Sequence, residues 1–112
     1  MKIGLWNIAH PERGSGIQLE EKRYEDVAHY LTTAGCDLFI VTEANAAIAL
    51  PGYSAAFSAK SPFISKSRFY GEPNSYHQVA IYSKAPIESL EVVEPVNGLL
   101  CRIMFPAFPL LV

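Results

Sequence analysis

Two side chains that can offer oxygen to a ligand, Asn7 and Glu43, stand at the ends of two short apolar stretches. Lys2-Ile3-Gly4-Leu5-Trp6 runs into Asn7, and Leu38-Phe39-Ile40-Val41 runs through Thr42 into Glu43. The second run is too short for a helix of its own and rich in β-favouring residues. It reads as a buried strand of the parallel kind, covered on both faces. In open α/β sheets, ligands bind beyond the C-terminal ends of the strands, and both oxygen-bearing side chains stand at such ends. The bland alternatives stay open: a strand-end glutamate that only meets solvent, and an asparagine that caps a strand or forms a turn.

What must position the pair is the segment between them. His10-Pro11-Glu12-Arg13-Gly14-Ser15-Gly16 is rich in breakers and reads as a loop. A helix is predicted from about Leu19 to Thr33. Tyr24, Val27, Ala28 and Leu31 follow the i, i+3, i+4, i+7 rule, Glu20 and Glu21 fall in the first turn, and Gly35 closes it. Strand, helix, strand in this order is a βαβ unit, which makes the two strands parallel with a right-handed crossover. As sheet neighbours they bring Asn7 and Glu43 to one site.

Further along, Ala44 to Leu50 is expected to form a short helical turn before Pro51-Gly52, and Tyr53 to Phe57 a short strand. Ser58 to Ser75 is a long loop carrying Lys60, Lys66 and Arg68 among Phe63, Phe69 and Tyr70. Loops of that length inside domains are usually functional or mobile. Its cations could track a phosphate backbone, with Phe69 or Tyr70 as stacking platforms; a merely solvated loop is the simpler account. Strands are predicted at Tyr76 to Ser83, Ile87 to Val93 and Leu99 to Phe105. Lys84-Ala85-Pro86 and Val96-Asn97-Gly98 are the turns between them. The second half therefore reads as an antiparallel meander attached to the βαβ unit, an α+β class.

The chain has 112 residues, net charge −2 and 50% hydrophobic residues, which describes one small domain, or part of a larger one, with a packed core. The charge balance speaks against a nucleic-acid binder that works by bulk charge, though a local basic patch remains open. Cys36 and Cys101 have no partners at metal-ligand spacing and read as buried, reduced thiols of a cytoplasmic protein. His10 and His29 show no ligand spacing either. No secretory leader is expected, because Met1-Lys2 leads straight into a strand. No membrane association is expected: the longest uncharged apolar stretch, Ile103 to Val112, is too short to span a bilayer and holds two prolines.

Three stretches resemble the endonuclease/exonuclease/phosphatase superfamily, which includes pancreatic deoxyribonuclease and the abasic-site nucleases. They are Ile3-Gly4-Leu5-Trp6-Asn7-Ile8, Asp37-Leu38-Phe39-Ile40-Val41-Thr42-Glu43, and Val79-Ala80-Ile81-Tyr82-Ser83-Lys84-Ala85-Pro86-Ile87, in the family's order and at about its spacing. Pro51-Gly52-Tyr53 falls where the family often has Gly-Tyr. The resemblance implies a metal-dependent phosphoester hydrolase, a nuclease or phosphatase, in which Asn7 and Glu43 hold Mg2+ or Mn2+. Magnesium suits such a pair, because it takes oxygen ligands, keeps several waters and needs only one or two carboxylates. Asn74-Ser75-Tyr76-His77-Gln78 resembles the approach to the matching strand in the deoxyribonuclease branch. That makes Tyr76 and His77, and with them Arg68, candidate contacts to substrate phosphate. A tyrosine packed at a sheet edge and an exposed histidine are the plain alternative.

The family's second half-site is missing. The only aspartates, Asp26 and Asp37, begin Asp26-Val27-Ala28 and Asp37-Leu38-Phe39, so the chain has neither the family's Asp-x-Asn nor its Asp-His pair. The carboxylate-oriented histidine of such general acid–base chemistry cannot be assembled in the family's way. The implied architecture is accordingly residues 1–105 as an N-terminal half, contributing one sheet of a four-layer α/β sandwich like that of deoxyribonuclease. Residues 106–112 are expected as an atypical apolar tail, the end of a truncated, split or frame-shifted reading frame. The partners to expect are a phosphoester substrate, nucleic acid among the choices, and a complementary C-terminal half or a second copy. A non-catalytic half-sandwich that dimerises through its apolar sheet face and acts as a binding module is the competing account.

Overall fold

The strand–helix–strand opening forms where the periodicity predicts it. The computed structural model describes residues 1–8, 17–59, 76–93 and 98–112; among these the side chains of residues 17–21, 76, 89, 90 and 93 are outside the description. Strand β1 (Ile3–Asn7) is followed by helix α1 (Ile17–Ala34) and strand β2 (Leu38–Asn45). β1 and β2 are parallel neighbours, with Ile3 opposite Leu38 and Asn7 opposite Thr42. Val27 and Leu31 of α1 are buried against the sheet, with Tyr24, Ala28 and Ala34 partly buried beside them. That is the stripe expected of a surface helix.

α1 ends at Gly35, whose φ of 62° lets its N–H return to the Leu31 carbonyl at 3.2 Å. The last turn contains no basic residue of its own. Two lysines from outside the helix supply the charge instead: Lys2 Nζ donates to the Ala34 carbonyl at 2.7 Å and Lys84 Nζ to that of Gly35 at 3.0 Å. Cations there complement the negative end of the helix dipole. Asp37 joins the same corner, accepting from the Lys2 backbone N–H at 2.7 Å and lying 3.7 Å from Lys84 Nζ. The Lys2 hydrogen bond, helped by Lys84 and the N-terminus, lowers its carboxyl below the usual value.

Strands β3 (Ser54–Phe57) and β4 (Tyr76–Ser83) complete a four-stranded sheet of order β1-β2-β4-β3, in which β4 is antiparallel to both neighbours. In place of the helical turn expected after Ala44, the chain makes a tight turn in which the Ile48 N–H bonds the Asn45 carbonyl at 3.0 Å.

The expected single sheet is corrected here. Strands β5 (Ile87–Val93), β6 (Gly98–Met104) and β7 (Pro109–Leu111) do not continue the meander from β4; they form a second sheet of order β5-β6-β7. The physical reason lies at Ser83-Lys84-Ala85-Pro86. Lys84 N–H bonds back to Asp37, Ser83 Oγ takes the Ala85 N–H, and Pro86 has no N–H for a ladder while its carbonyl accepts from Met104. The chain thereby leaves the first sheet at the end of its inner strand β4. The stretch expected as a tail supplies β7, whose Leu110 pairs with Ile103, and Val112 exchanges backbone bonds with Cys101.

The described residues thus make a sheet-rich α+β arrangement in which α1 covers one face of the first sheet and the second sheet covers part of the other. One cluster, around Leu31, Phe39, Val41, Ala80 and Tyr82, lies on the helix side. The other gathers Leu38, Ala56, Ile81 and Ala85 against Cys101 and Ile103 of β6. Both cysteines are buried and free, as their residue types suggest. The second sheet leaves β1 bare: Ile3 and Leu5 are 54% and 76% exposed. Among the described residues no helix is long and apolar enough to cross a membrane.

Candidate metal and phosphate site

Asn7 ends β1 and Glu43 lies near the end of β2, and the parallel register sets their backbones almost side by side. Asn7 Nδ2 donates to Glu43 Oε1 at 3.5 Å, a long hydrogen bond at the edge of useful geometry. The two residues singled out in the sequence are therefore brought together. Asn7 is exposed and Glu43 half-buried, so the pair opens toward solvent.

Glu43 carries a backbone feature that its residue type does not announce. Its φ is 55°, left-handed, and among the described residues it is the non-glycine residue in that region. For an L-residue this costs about 1–2 kcal/mol. Strain of this kind concentrates at functional sites and persists where the surroundings over-determine it. Its structural effect is visible in β2. Phe39 and Val41 face α1, so regular alternation would send Ala44 to the opposite face. Instead Ala44 is fully buried in the same helix-side cluster, and Glu43 leaves that face to meet Asn7.

The ends of both strands are tied to α1. Arg23 donates through Nη2 to the carbonyl of Ile8, directly after Asn7, at 3.1 Å. Asn45, buried at 7% exposure, donates through Nδ2 to the Tyr24 hydroxyl at 3.0 Å, and its Oδ1 accepts from the Ala47 N–H at 2.8 Å. Sequence reasoning misses these three roles. In the sequence Tyr24 reads as part of the apolar stripe, and Arg23 and Asn45 carry no motif. The signal that could find them is an asparagine just past the strand-end glutamate, opposite a stripe residue with a hydroxyl.

His77 lies on β4 opposite Ala44, at the same end of the sheet as Glu43, and Tyr76 pairs in register with Asn45. The His77 ring is held from behind: Nδ1 donates to the Ser58 carbonyl at 2.6 Å, and the ring packs on Phe57 at 5.0 Å between centroids. A carbonyl can only accept, so Nδ1 carries a proton and Nε2 is the ring nitrogen not engaged by Ser58. His77 is half-buried rather than the exposed histidine of the plain alternative. His29 is exposed on α1. The Tyr76 side chain, Arg68, His10 and the cations Lys60 and Lys66 lie outside the described residues.

Among the described residues no group of three or more His, Cys, Asp or Glu converges as a self-sufficient metal site. The donor set at Asn7 and Glu43 is instead one amide and one carboxylate facing water. These donors are of the oxygen type that magnesium takes, an ion that keeps several waters and needs only one or two carboxylates from a protein. Beside the Nδ2 that faces Glu43, the Asn7 side chain also carries Oδ1, an oxygen donor. No protein-family model matches the chain, and no curated protein sequence matches it.

Proposed function

We propose that the chain carries the metal-binding half of a phosphoester-hydrolase site of the endonuclease/exonuclease/phosphatase kind, with Asn7 and Glu43 as the residues that hold Mg2+ or Mn2+. The observation that supports this most is the convergence of Asn7 and Glu43 at one sheet end, with Glu43 in a strained backbone conformation. The resemblance of the three sequence stretches points the same way.

In such a site the bound ion supplies charge neutralisation at the phosphoester and a lowered pKa for a bound water. The chain's own residues have simpler parts. Glu43 carries the negative charge that retains the ion, and Asn7 adds a neutral oxygen on the solvent side. Packing of the βαβ unit fixes the backbone of Glu43 and with it the direction in which the carboxylate points. His77, at the end of the neighbouring strand with Nδ1 engaged by the Ser58 carbonyl, is the chain's candidate contact to a substrate phosphate through its other ring nitrogen. The chain supplies no Asp-His pair, so hydrolysis by this chain alone is expected to be feeble or absent.

A magnesium titration followed by Trp6 fluorescence tests the site, since Trp6 precedes Asn7 in β1. The expected result is a saturable response in the wild type that Glu43→Gln weakens at least tenfold, in the range seen when a metal site loses one supporting group, about 10–100-fold. Equal responses would remove Glu43 from the assignment.

A second reading, a dimerising binding module, draws on the exposed Ile3 and Leu5 of an edge strand that carries no charged residue. A concentration-independent monomer in sedimentation would rule it out.

A further inference from the structure

Adjacent residues of α1 reach the ends of both site strands. Arg23 holds the Ile8 carbonyl just beyond Asn7, and Tyr24 receives the Asn45 amide two residues beyond Glu43. Glu43 itself sits between two fixed neighbours. On one side Thr42 is held to β1, opposite Asn7 in register and accepting from the Ile8 N–H at 3.2 Å. On the other side Ala44 is fully buried and Asn45 is tied to Tyr24. A left-handed glutamate survives only under such constraint.

We propose that Arg23 and Tyr24 are positioning residues that clamp the ends of β1 and β2 to α1, hold Glu43 in its left-handed conformation and thereby set the spacing of Asn7 and Glu43. This inference rests on the assignment of that pair as a magnesium site. Arg23 and Tyr24 act through Ile8 and Asn45 and need touch neither ion nor substrate. The parallel ladder sets the register of the two strands, and the clamp fixes their ends beyond it, where Asn7 and Glu43 stand 3.5 Å apart. The clamp also gives the buried Asn45 a part beyond its own turn: with Oδ1 committed to the Ala47 N–H, its Nδ2 is the group that reaches the helix.

The test uses the whole chain, isotope-labelled, in the wild type and in Tyr24→Phe, Arg23→Gln and Val27→Ala. Val27 is a buried residue of the same helix face with no polar tie to either strand end, so its truncation reports a purely structural loss. The conformational readout is the intraresidue amide-to-Hα nuclear Overhauser effect of Glu43, which is strong at positive φ and weak in an extended strand. The binding readout is magnesium affinity, followed at the Asn7 side-chain amide under conditions where each variant is folded.

Tyr24→Phe is expected to weaken the Glu43 signal and to lower magnesium affinity by about tenfold, as loss of an outer hydrogen bond does at metal sites. Arg23→Gln is expected to shift the Asn7 amide resonance and lower affinity in the same direction. Val27→Ala is expected to lower the melting temperature while leaving both readouts at their wild-type values. Should Tyr24→Phe fail to fold, Arg23→Gln, at an exposed side chain, carries the same test. Wild-type Glu43 signal and affinity in both clamp variants would overturn the proposal. Absence of magnesium binding in the wild type would strike the metal assignment instead, and the Glu43 signal would still decide the clamp.

Discussion

Glycine at position 43 should leave this protein more stable than alanine at the same position. At an ordinary strand position glycine is the worse of the two by roughly 0.5–1 kcal/mol, because it loses more backbone freedom on folding. At Glu43 the sign should reverse, because φ is 55° and any residue with a Cβ carries about 1–2 kcal/mol of left-handed strain there. Setting the relief against the entropy leaves Glu43→Gly more stable than Glu43→Ala by about 0–1.5 kcal/mol, with the middle of both ranges giving about 0.75. Both substitutions remove the glutamate carboxylate and with it the 3.5 Å hydrogen bond from Asn7, so that effect cancels between them. Urea unfolding with a common slope measures the difference, and the melting temperature should separate by several degrees, at about 4–8 °C per kcal/mol. Both variants should lose magnesium binding. The pair would thus exhibit a stability–function conflict, in which the residue retained at 43 serves the site at a cost to the fold. If Glu43→Ala exceeds Glu43→Gly in stability by the roughly 0.5–1 kcal/mol of an ordinary strand position, the left-handed strain and the argument built on it are wrong.

Two further outcomes follow from other parts of the fold. A methyl group at Gly4 would stand 2.6–2.7 Å from the Phe39 ring and 3.1 Å from Cys36 Sγ, and Phe39 is pinned from beyond by Tyr53 at 5.8 Å. Gly4→Ala should therefore cost about 1–3 kcal/mol by overpacking, and Phe39→Leu should relieve part of that cost in a double-mutant cycle. For pH, the folded Asp37 carboxyl lies below its unfolded value near 3.8, so its contribution is present above that value and is lost as pH falls through the lower folded one. The stability advantage of wild type over Asp37→Asn should accordingly be constant at neutral pH and shrink in acid below about pH 4. An advantage that persists undiminished to pH 2 would contradict it.

Much of the site is legible in the sequence because it rests on local periodicity and one topological rule. The apolar stripe Tyr24, Val27, Ala28, Leu31 marks a helix, Gly35 marks its end, and a strand on either side makes the strands parallel. From these, Asn7 and Glu43 had to stand at one end of one sheet, and they do so in adjacent strands. Composition likewise indicates that Cys36 and Cys101 are buried thiols.

What periodicity could not decide was which strand pairs with which. β4, β5 and β6 each read as strands, yet alternation of apolar residues does not say whether the chain folds back on the same sheet or crosses to another. That choice is made by non-local hydrogen bonds at Ser83 to Pro86 and by burial of Cys101 and Ile103 over Leu38 and Ile81. The apolar end of the chain gains its meaning only from its partner β6. Nor does the letter Glu at position 43 encode a positive φ. That conformation stands between the buried Ala44 and the hydrogen bond from Asn45 to Tyr24 of α1, tertiary contacts without which a glutamate would relax out of it. The sequence by itself therefore determined which side chains could meet; the tertiary structure decided the backbone conformation in which they meet, since that conformation is held by contacts distant in the chain.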